Sequence, residues 1–447
     1  MKLQRATFLA GATAAALLLS ACGGGTGANS GPAADVPGAD GKGEVKGDIA
    51  AAWWGGTSRI ELTNKVIDMF IAENPGVTVD RQSADFAKYF DKLNVQAASK
   101  DLPCVVQLQG RQINDYTKRN VLLPLDPMVE SGAIDIADIP KAVVDAGRGT
   151  DGKLYFLPYG AAYDAVGVNT TLAEQAGVGT LSEGYDWPEF ISYLSKAQEK
   201  MPDGVNASNN GGGRPNYFIG WTQANGKKLF NDEGKLGFEK SDLTEYWKMW
   251  EDLRQKGVTV TPQQSSEEPT APDQSYLAHG QVMSDTLPGN AFTPASKTLS
   301  GAAPGQALTT LPYPSGPSGS GNALYPSGFA VSANCQNIPT AAAFINYFTN
   351  DLEAGKTFAS DNGAATNTKV LDAQIADPSM SATKKHELET YKKIVSEDPP
   401  TIVFPAGYQS VFENSFKRAY EEVAFGRMSV DQAADKFFDE ANAKLGQ

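Results

Sequence analysis

Aromatic, amide and small residues gather where the chain is expected to turn between regular elements. Trp53, Trp54, Gln109, Tyr159, Tyr163, Trp221, Tyr325 and Tyr408 all sit at or beside such breaks. A flat ring stacks on an apolar C–H face and an amide pairs with hydroxyls, so the set suits a polyhydroxylated ligand; the same residue types also fill cores. Adjacent strand residues point to opposite faces. Of Trp53 and Trp54, one therefore packs inward, and Trp54, beside Gly55-Gly56, is expected to face a cleft. The two glycines lead into a helix whose first N–H groups lack intrahelical partners and can receive ligand oxygens. Arg59 in that first turn opposes the helix dipole, which marks it as a ligand contact or a solvated cation.

Catalytic motifs are mostly absent. The chain has no Gly-x-Ser-x-Gly and no His-Glu-x-x-His, and Gly355-Lys356-Thr357 ends like a phosphate loop whose first glycine is replaced by Asn350. His279 and His386 are the only histidines and do not stand at metal-ligand spacing, so neither a histidine metal site nor a histidine general base is expected. Carboxylates are plentiful, and a glycosidase needs only two at the right separation. On the residues alone an anchored glycosidase stays open, as does a scaffold protein that binds no small molecule.

The elements that position these residues alternate between strand and helix, the pattern of an α/β protein. Asp48–Trp53 predicts a strand. Ser58 with Glu61 predicts a capping box that starts a helix, Asn74-Pro75-Gly76 ends it, and Val77–Asp80 is the next strand. Val105–Leu108 reads as a third strand leading to Gln109-Gly110-Arg111. Pro158-Tyr159-Gly160 reads as a break, Asp186 with Glu189 as a helix start, and Asn206–Gly213 as an exposed Gly/Asn-rich loop. Ser429 with Gln432 caps a last amphipathic helix.

The N-terminus carries an address. Lys2 and Arg5 precede an apolar run from Ala6 to Leu19, too short to span a bilayer, so residues 1–21 read as an export signal. Leu19-Ser20-Ala21-Cys22 looks like a bacterial lipobox, which makes Cys22 a lipid-modified N-terminus. Residues 22–46, rich in Gly, Ala, Asp and Pro, are expected to form a flexible leash. About 400 residues remain, enough for roughly two or three domains. The net charge of −14 becomes −16 once Lys2 and Arg5 are removed, which disfavours nucleic acid and anionic lipid as partners. Cys104 and Cys335 are the other cysteines; in an oxidising exterior they form one disulfide or remain two buried thiols.

Several segments together resemble the extracellular solute-binding proteins of bacterial ABC importers, in particular the carbohydrate-binding family that includes maltose-binding protein. The likeness is carried by Trp53-Trp54-Gly55-Gly56 with Arg59, Phe70–Val79, Ala97–Pro103, Leu122–Asp126, Asp151–Tyr155 with Leu157–Gly160, Asp186–Phe190 and His279–Met283. It implies a two-lobed periplasmic-binding-protein type II fold, with lobes of residues 47–160 plus 326–362 and 161–325 plus 363–447 hinged around a cleft. It also implies a carbohydrate ligand, permease subunits with a separate ATPase as partners, a monomer held at the membrane by its lipid, and no enzyme activity, metal or cofactor. Carried over position by position, the ligand contacts are Trp54, Gly55, Arg59, Gln109, Arg111, Tyr159, Tyr163, Asp164, Trp221, Asp285, Asn290, Ser327, Gly328, Tyr408 and Gln409. Asn290 stands in Leu287-Pro288-Gly289-Asn290, where the maltose-binding member has an aromatic-rich loop. The family usually has Asp where Cys104 stands. The resemblance places the strand after Cys104 antiparallel to the strand before Cys335, and so implies a Cys104–Cys335 disulfide.

Overall fold

The computed structural model describes residues 36–445 except Thr270, and only the backbone of Ala87. The signal segment, Cys22 and the first part of the leash lie outside the described residues. Ten strands are described: β1 (Gly47–Trp54), β2 (Val77–Ala84), β3 (Val105–Gln109), β4 (Leu157–Tyr163), β5 (Val166–Asn169), β6 (Asn206–Ser208), β7 (Val282–Thr286), β8 (Leu308–Leu311), β9 (Leu324–Val331) and β10 (Ala364–Ala365). They form a six-stranded sheet of order β10-β4-β9-β3-β1-β2 and a four-stranded sheet of order β6-β7-β5-β8. Helices cover both sheets, giving the two lobes of a periplasmic-binding-protein fold. Among the described residues no helix is long and apolar enough to cross a membrane.

The first sheet is buried on both faces, so its strands read as apolar runs rather than alternating ones. In β1, Ile49, Ala51 and Trp53 enter one core, and Ala52 and Trp54 enter the core on the opposite face. Parallel pairing with β2 and β3 fixes β1, and β3 runs antiparallel to β9 with Val105 opposite Val331 and Gln109 opposite Ser327. The ladder continues past β3, where the Ser332 N–H donates to the Cys104 carbonyl at 2.9 Å. Cys104 and Cys335 are joined by a disulfide, their Cα atoms 4.5 Å apart.

Four expectations change. The helix Thr57–Glu73 starts at Gly56, whose position offers no side-chain cap; the Ser58 hydroxyl instead donates to Asp361 at 3.2 Å. Pro158-Tyr159-Gly160 is no break. The chain stays extended through β4 and only shifts register between Pro158 and Gly160. The lobe boundaries expected at 160/161, 325/326 and 362/363 accordingly fall within or beside strands of the first sheet, since β4 runs on to Tyr163, β9 starts at Leu324, and Ala364 pairs with Ala161. Part of the segment expected as a leash is packed. Residues 36–46 lie on the first lobe, with Val36 and Val45 against its core, the Ser131 hydroxyl donating to the Asp40 carbonyl at 2.6 Å, and Gly41 so close to Ala133 and Ala342 that a side chain would not fit.

The second lobe is built around one large aromatic core that gathers the helices Trp187–Gln198, Pro215–Ala224, Lys240–Gln255 and Val430–Lys444. The first and last of these have the Asp186/Glu189 and Ser429/Gln432 capping boxes expected from sequence. The segment 206–213, expected to be an exposed loop, is instead the strand β6 followed by a loop at 209–213 that is largely buried. Glycine makes this possible, because a Cβ on Gly211 or Gly212 would strike the rings of Trp250 or Tyr420. The carbonyls of both glycines accept from Tyr246 (2.7 Å) and Trp247 (3.0 Å).

The Cys104–Cys335 bond spans 231 residues of sequence, so in the unfolded chain it removes a large loop-closure entropy. Replacing both cysteines by Ser should lower the free energy of unfolding by about 2–4 kcal/mol, read as an earlier urea midpoint. An unchanged midpoint would refute this.

Candidate functional site

Each lobe contributes one arginine to a polar cluster at their junction. Arg111 follows β3 after Gln109-Gly110, and its guanidinium lies over the Tyr325 ring with 4.2 Å to the centroid. From there it reaches the second lobe, where Nη1 donates to Glu413 Oε1 at 3.1 Å and Nη2 to Asn216 Oδ1 at 3.1 Å. The Asn216 amide in turn donates to Asp164 Oδ1 at 2.7 Å, and the Tyr408 hydroxyl donates to Glu413 at 3.4 Å. Asp164 stands between β4 and β5, where the chain passes from the first sheet to the second. Arg111 Nε is buried without a hydrogen-bond partner, and the Tyr325 hydroxyl faces the Asp164 carboxylate. A buried cationic N–H left unsatisfied is costly unless a ligand or solvent meets it.

The second arginine is Arg214, two residues before Asn216 and at the start of the helix Pro215–Ala224. Its guanidinium pairs with Glu268 and, at 3.4 Å, with Asp285. Asn209 donates to Asp285 Oδ2 at 3.0 Å, and the Thr286 N–H to Asp285 Oδ1 at 2.7 Å. Arg214, Glu268 and Glu413 line a cavity of about 250 Å³ that also borders Lys417 and Tyr420. Glu413 thereby joins the cavity to Arg111. It lies in a π-helical stretch, Gln409–Phe416, a widened turn of the kind that recurs at functional sites.

Burial governs the acids. It pushes the Asp164 carboxyl up to about 6 against the opposing pull of Arg111, and it raises Asp285 against the pull of Arg214.

Of the residues expected from sequence, Arg111, Asp164 and Tyr408 come together here, and Asp285 sits in the adjoining arginine cluster. Others serve the cores. Trp54, expected to face a cleft, is buried among Phe86, Tyr89 and Phe90, while Trp221 lies parallel to Phe218 inside the second lobe. Tyr159 is buried with its hydroxyl on Gln107 and Asn362, and the Tyr163 hydroxyl donates to the Glu387 carbonyl at 3.2 Å. Ser327 and Gly328 are ladder partners of Gln109 and Leu108 inside the first sheet. Arg59 folds over Gly55 to an ion pair with Asp361 at 2.8 Å, so its unfavourable place in the first helical turn has a structural purpose. Gln109, Asn290 and Gln409 are half-buried. Asn209, Arg214, Asn216, Glu268 and Glu413 were not anticipated. Pro215 at the first helical turn marks the helix start that positions Arg214 and Asn216, but Glu413 reads in sequence as one more solvated charge.

Residues 65–387 match the family model described as bacterial extracellular solute-binding protein. The chain belongs to this family of binding proteins. Its fold is shared by a family 1 extracellular solute-binding protein from Alicyclobacillus acidocaldarius, at 23% identity, TM-score 0.70, and coverage of 91% of this chain and 100% of that one. It is shared too by the GacH receptor of Streptomyces glaucescens, at 20% identity, TM-score 0.71, and coverage of 90% and 99%. A periplasmic oligogalacturonide-binding protein from Yersinia enterocolitica aligns at 16% identity with TM-score 0.73, over 89% of this chain and 98% of that one. In a solute-binding protein the junction between lobes is where a ligand is enclosed, which is where Arg111, Asn216 and Glu413 meet.

Two outcomes follow for variants of this solute-binding protein. An Asp whose folded value is raised to about 6 from 3.8 is disfavoured as an anion, so its contribution to stability declines as pH rises through that window and stays lost above it. Asp164→Asn should therefore be more stable than wild type at pH 7.5, by about 1–3 kcal/mol, with the gap closing near pH 4 in thermal melts; lower stability at pH 7.5 would contradict this. Trp54→Ala should cost about 3–5 kcal/mol in chemical denaturation, as expected for a core ring, whereas an exposed stacking platform would leave stability unchanged.

Proposed function

We propose that this protein is the lipid-anchored solute-binding component of an ABC importer, which captures a sugar or short oligosaccharide between its lobes and delivers it to membrane permease subunits. The observation that carries the reading is the reach of Arg111 from one lobe to Asn216 and Glu413 on the other, beside a polar cavity with an aromatic wall. Hydroxyl groups suit the unpaired Arg111 Nε and the carboxylates beside it. Two proteins of the same fold point the same way: the GacH receptor was solved with acarbose, and the Yersinia protein with saturated digalacturonic acid.

Lipidation at Cys22 would leave the chain up to Val36 as a tether, shorter than the 22–46 leash expected from sequence. A monomer at the outer face of the membrane could then open, close and reorient within reach of a permease. The protein is not an enzyme on this reading. The carboxylates at the junction are engaged by Arg111, Arg214, Asn209 and Asn216, an arrangement suited to holding a ligand.

Titration calorimetry against a sugar library tests the proposal. A sugar should bind without turnover and raise the melting temperature, and Arg111→Ala or Asn216→Ala should weaken it about 10–100-fold, the range of one lost charge-assisted hydrogen bond. Release of a cleaved product would favour a glycosidase, and full affinity in both variants would remove the site assignment.

A further inference from the structure

We infer that Phe86 is a stacking platform for a second sugar unit at the edge of the cleft, and that the ligand is therefore a disaccharide or longer. This rests on the sugar reading above and specifies the ligand's length and a residue that reads it. The helix Phe86–Ser99 follows β2 and carries one apolar stripe at helical spacing: Phe86, Tyr89, Phe90, Leu93 and Ala97. The last four are buried in the core on one face of the first sheet. Phe86, at the first helical position, emerges from that core and is 45% exposed. Its ring is braced from below by Trp54, 5.5 Å away at 88°, and by Phe90, 5.0 Å away at 67°; neither lies parallel to it. A single exposed apolar residue is ordinary. Among the described residues, however, the exposed rings are Phe86 and Phe425, and Phe425 has the Arg427 guanidinium over it at 4.7 Å.

The place of Phe86 in the sheet gives the ring its use. β2, β1 and β3 are adjacent and parallel, so their carboxyl ends share one edge of the sheet. That is the edge at which α/β sheets receive ligands. Arg111 stands two residues past the end of β3, and Phe86 two residues past the end of β2. Between them β1 ends at Trp54, the Gly55 N–H donates to the Ala84 carbonyl at 3.0 Å, and a Cβ on Gly56 would meet open space. The ends of β2 and β3 are two strand spacings apart, roughly 10 Å of backbone. One pyranose ring does not bridge that distance, so a ligand held at Arg111 reaches Phe86 only through a further unit. The apolar C–H face of such a unit matches a flat ring. This is the task expected of Trp54 from sequence, and Trp54 instead supports the ring that performs it.

The experiment titrates the full chain calorimetrically with glucose, galactose and mannose and with their α- and β-1,4-linked disaccharides. A disaccharide should bind about tenfold tighter than its own monosaccharide, the gain of one stacked ring. Phe86→Ala should remove most of that gain and leave the monosaccharide affinity unchanged. Phe86→Trp should keep the gain, and Phe86→Leu, apolar but not flat, should lose it; melts without ligand check that each variant is folded. A monosaccharide that binds as tightly as its disaccharides, full disaccharide affinity in Phe86→Ala, or an equal loss for both lengths overturns the inference and leaves sugar binding intact. Absence of binding by every sugar counts against the sugar reading itself, and the length inference falls with it.

Discussion

Everything at the junction follows from holding a guanidinium where water reaches it poorly. Arg111 leaves the first lobe at the end of a strand buried on both faces, and among the described residues its ion pair is with Glu413. Its charge is met by Glu413 and Asn216, which belong to the second lobe, and its flat face by Tyr325 at the start of β9. A buried charge is tolerated only when it is paired and hydrogen-bonded. The need to satisfy one side chain therefore couples the two lobes.

That geometry depends on features far from the arginine. β3 is fixed between β1 and β9, and the disulfide at its start ties it again to the segment that follows β9. On the other side, Asn216 and Arg214 are positioned by a helix start that follows the glycine run at 211–213. Because Gly211 and Gly212 carry no Cβ, the run can lie against Trp250 and Tyr420, and the indole and phenol groups of Trp247 and Tyr246 hold its carbonyls. A side chain at either glycine would push the loop off the aromatic core and carry Arg214 with it. The polar site of the second lobe thus rests on its hydrophobic core.

Much of this architecture was legible in the chain, and the misreadings share a cause. The capping boxes at Asp186/Glu189 and Ser429/Gln432 were readable because a cap is a local contact between residues three apart. Trp54 was misread because local alternation says that neighbours face opposite ways but not that both faces are buried. The Gly/Asn-rich loop at 206–213 looked solvated because small polar residues usually are; what buries it is a helix more than thirty residues later. Pro158-Tyr159-Gly160 has the composition of a turn, yet pairing with β9 keeps it extended. Glu413 carried no signal, since its role exists only when Arg111, some three hundred residues earlier, arrives beside it. Local chemistry was readable, and long-range pairing was readable only through the family resemblance.

The ligand-free contacts between lobes also bear on how tightly any solute can be held. If Arg111 were unpaired before binding, each new hydrogen bond to a ligand would add to affinity in full. Here those N–H groups are already engaged, so binding is an exchange, and only the difference between the ligand's contacts and those of Glu413 and Asn216 appears as affinity. The unpartnered Arg111 Nε is the exception. A contact made there would replace nothing from the protein, so on the proposed reading this N–H is where a well-matched ligand would gain most over a poorly matched one. Selectivity in the proposed site would accordingly rest less on the N–H groups already paired within the protein than on the buried donor that the fold leaves without a partner.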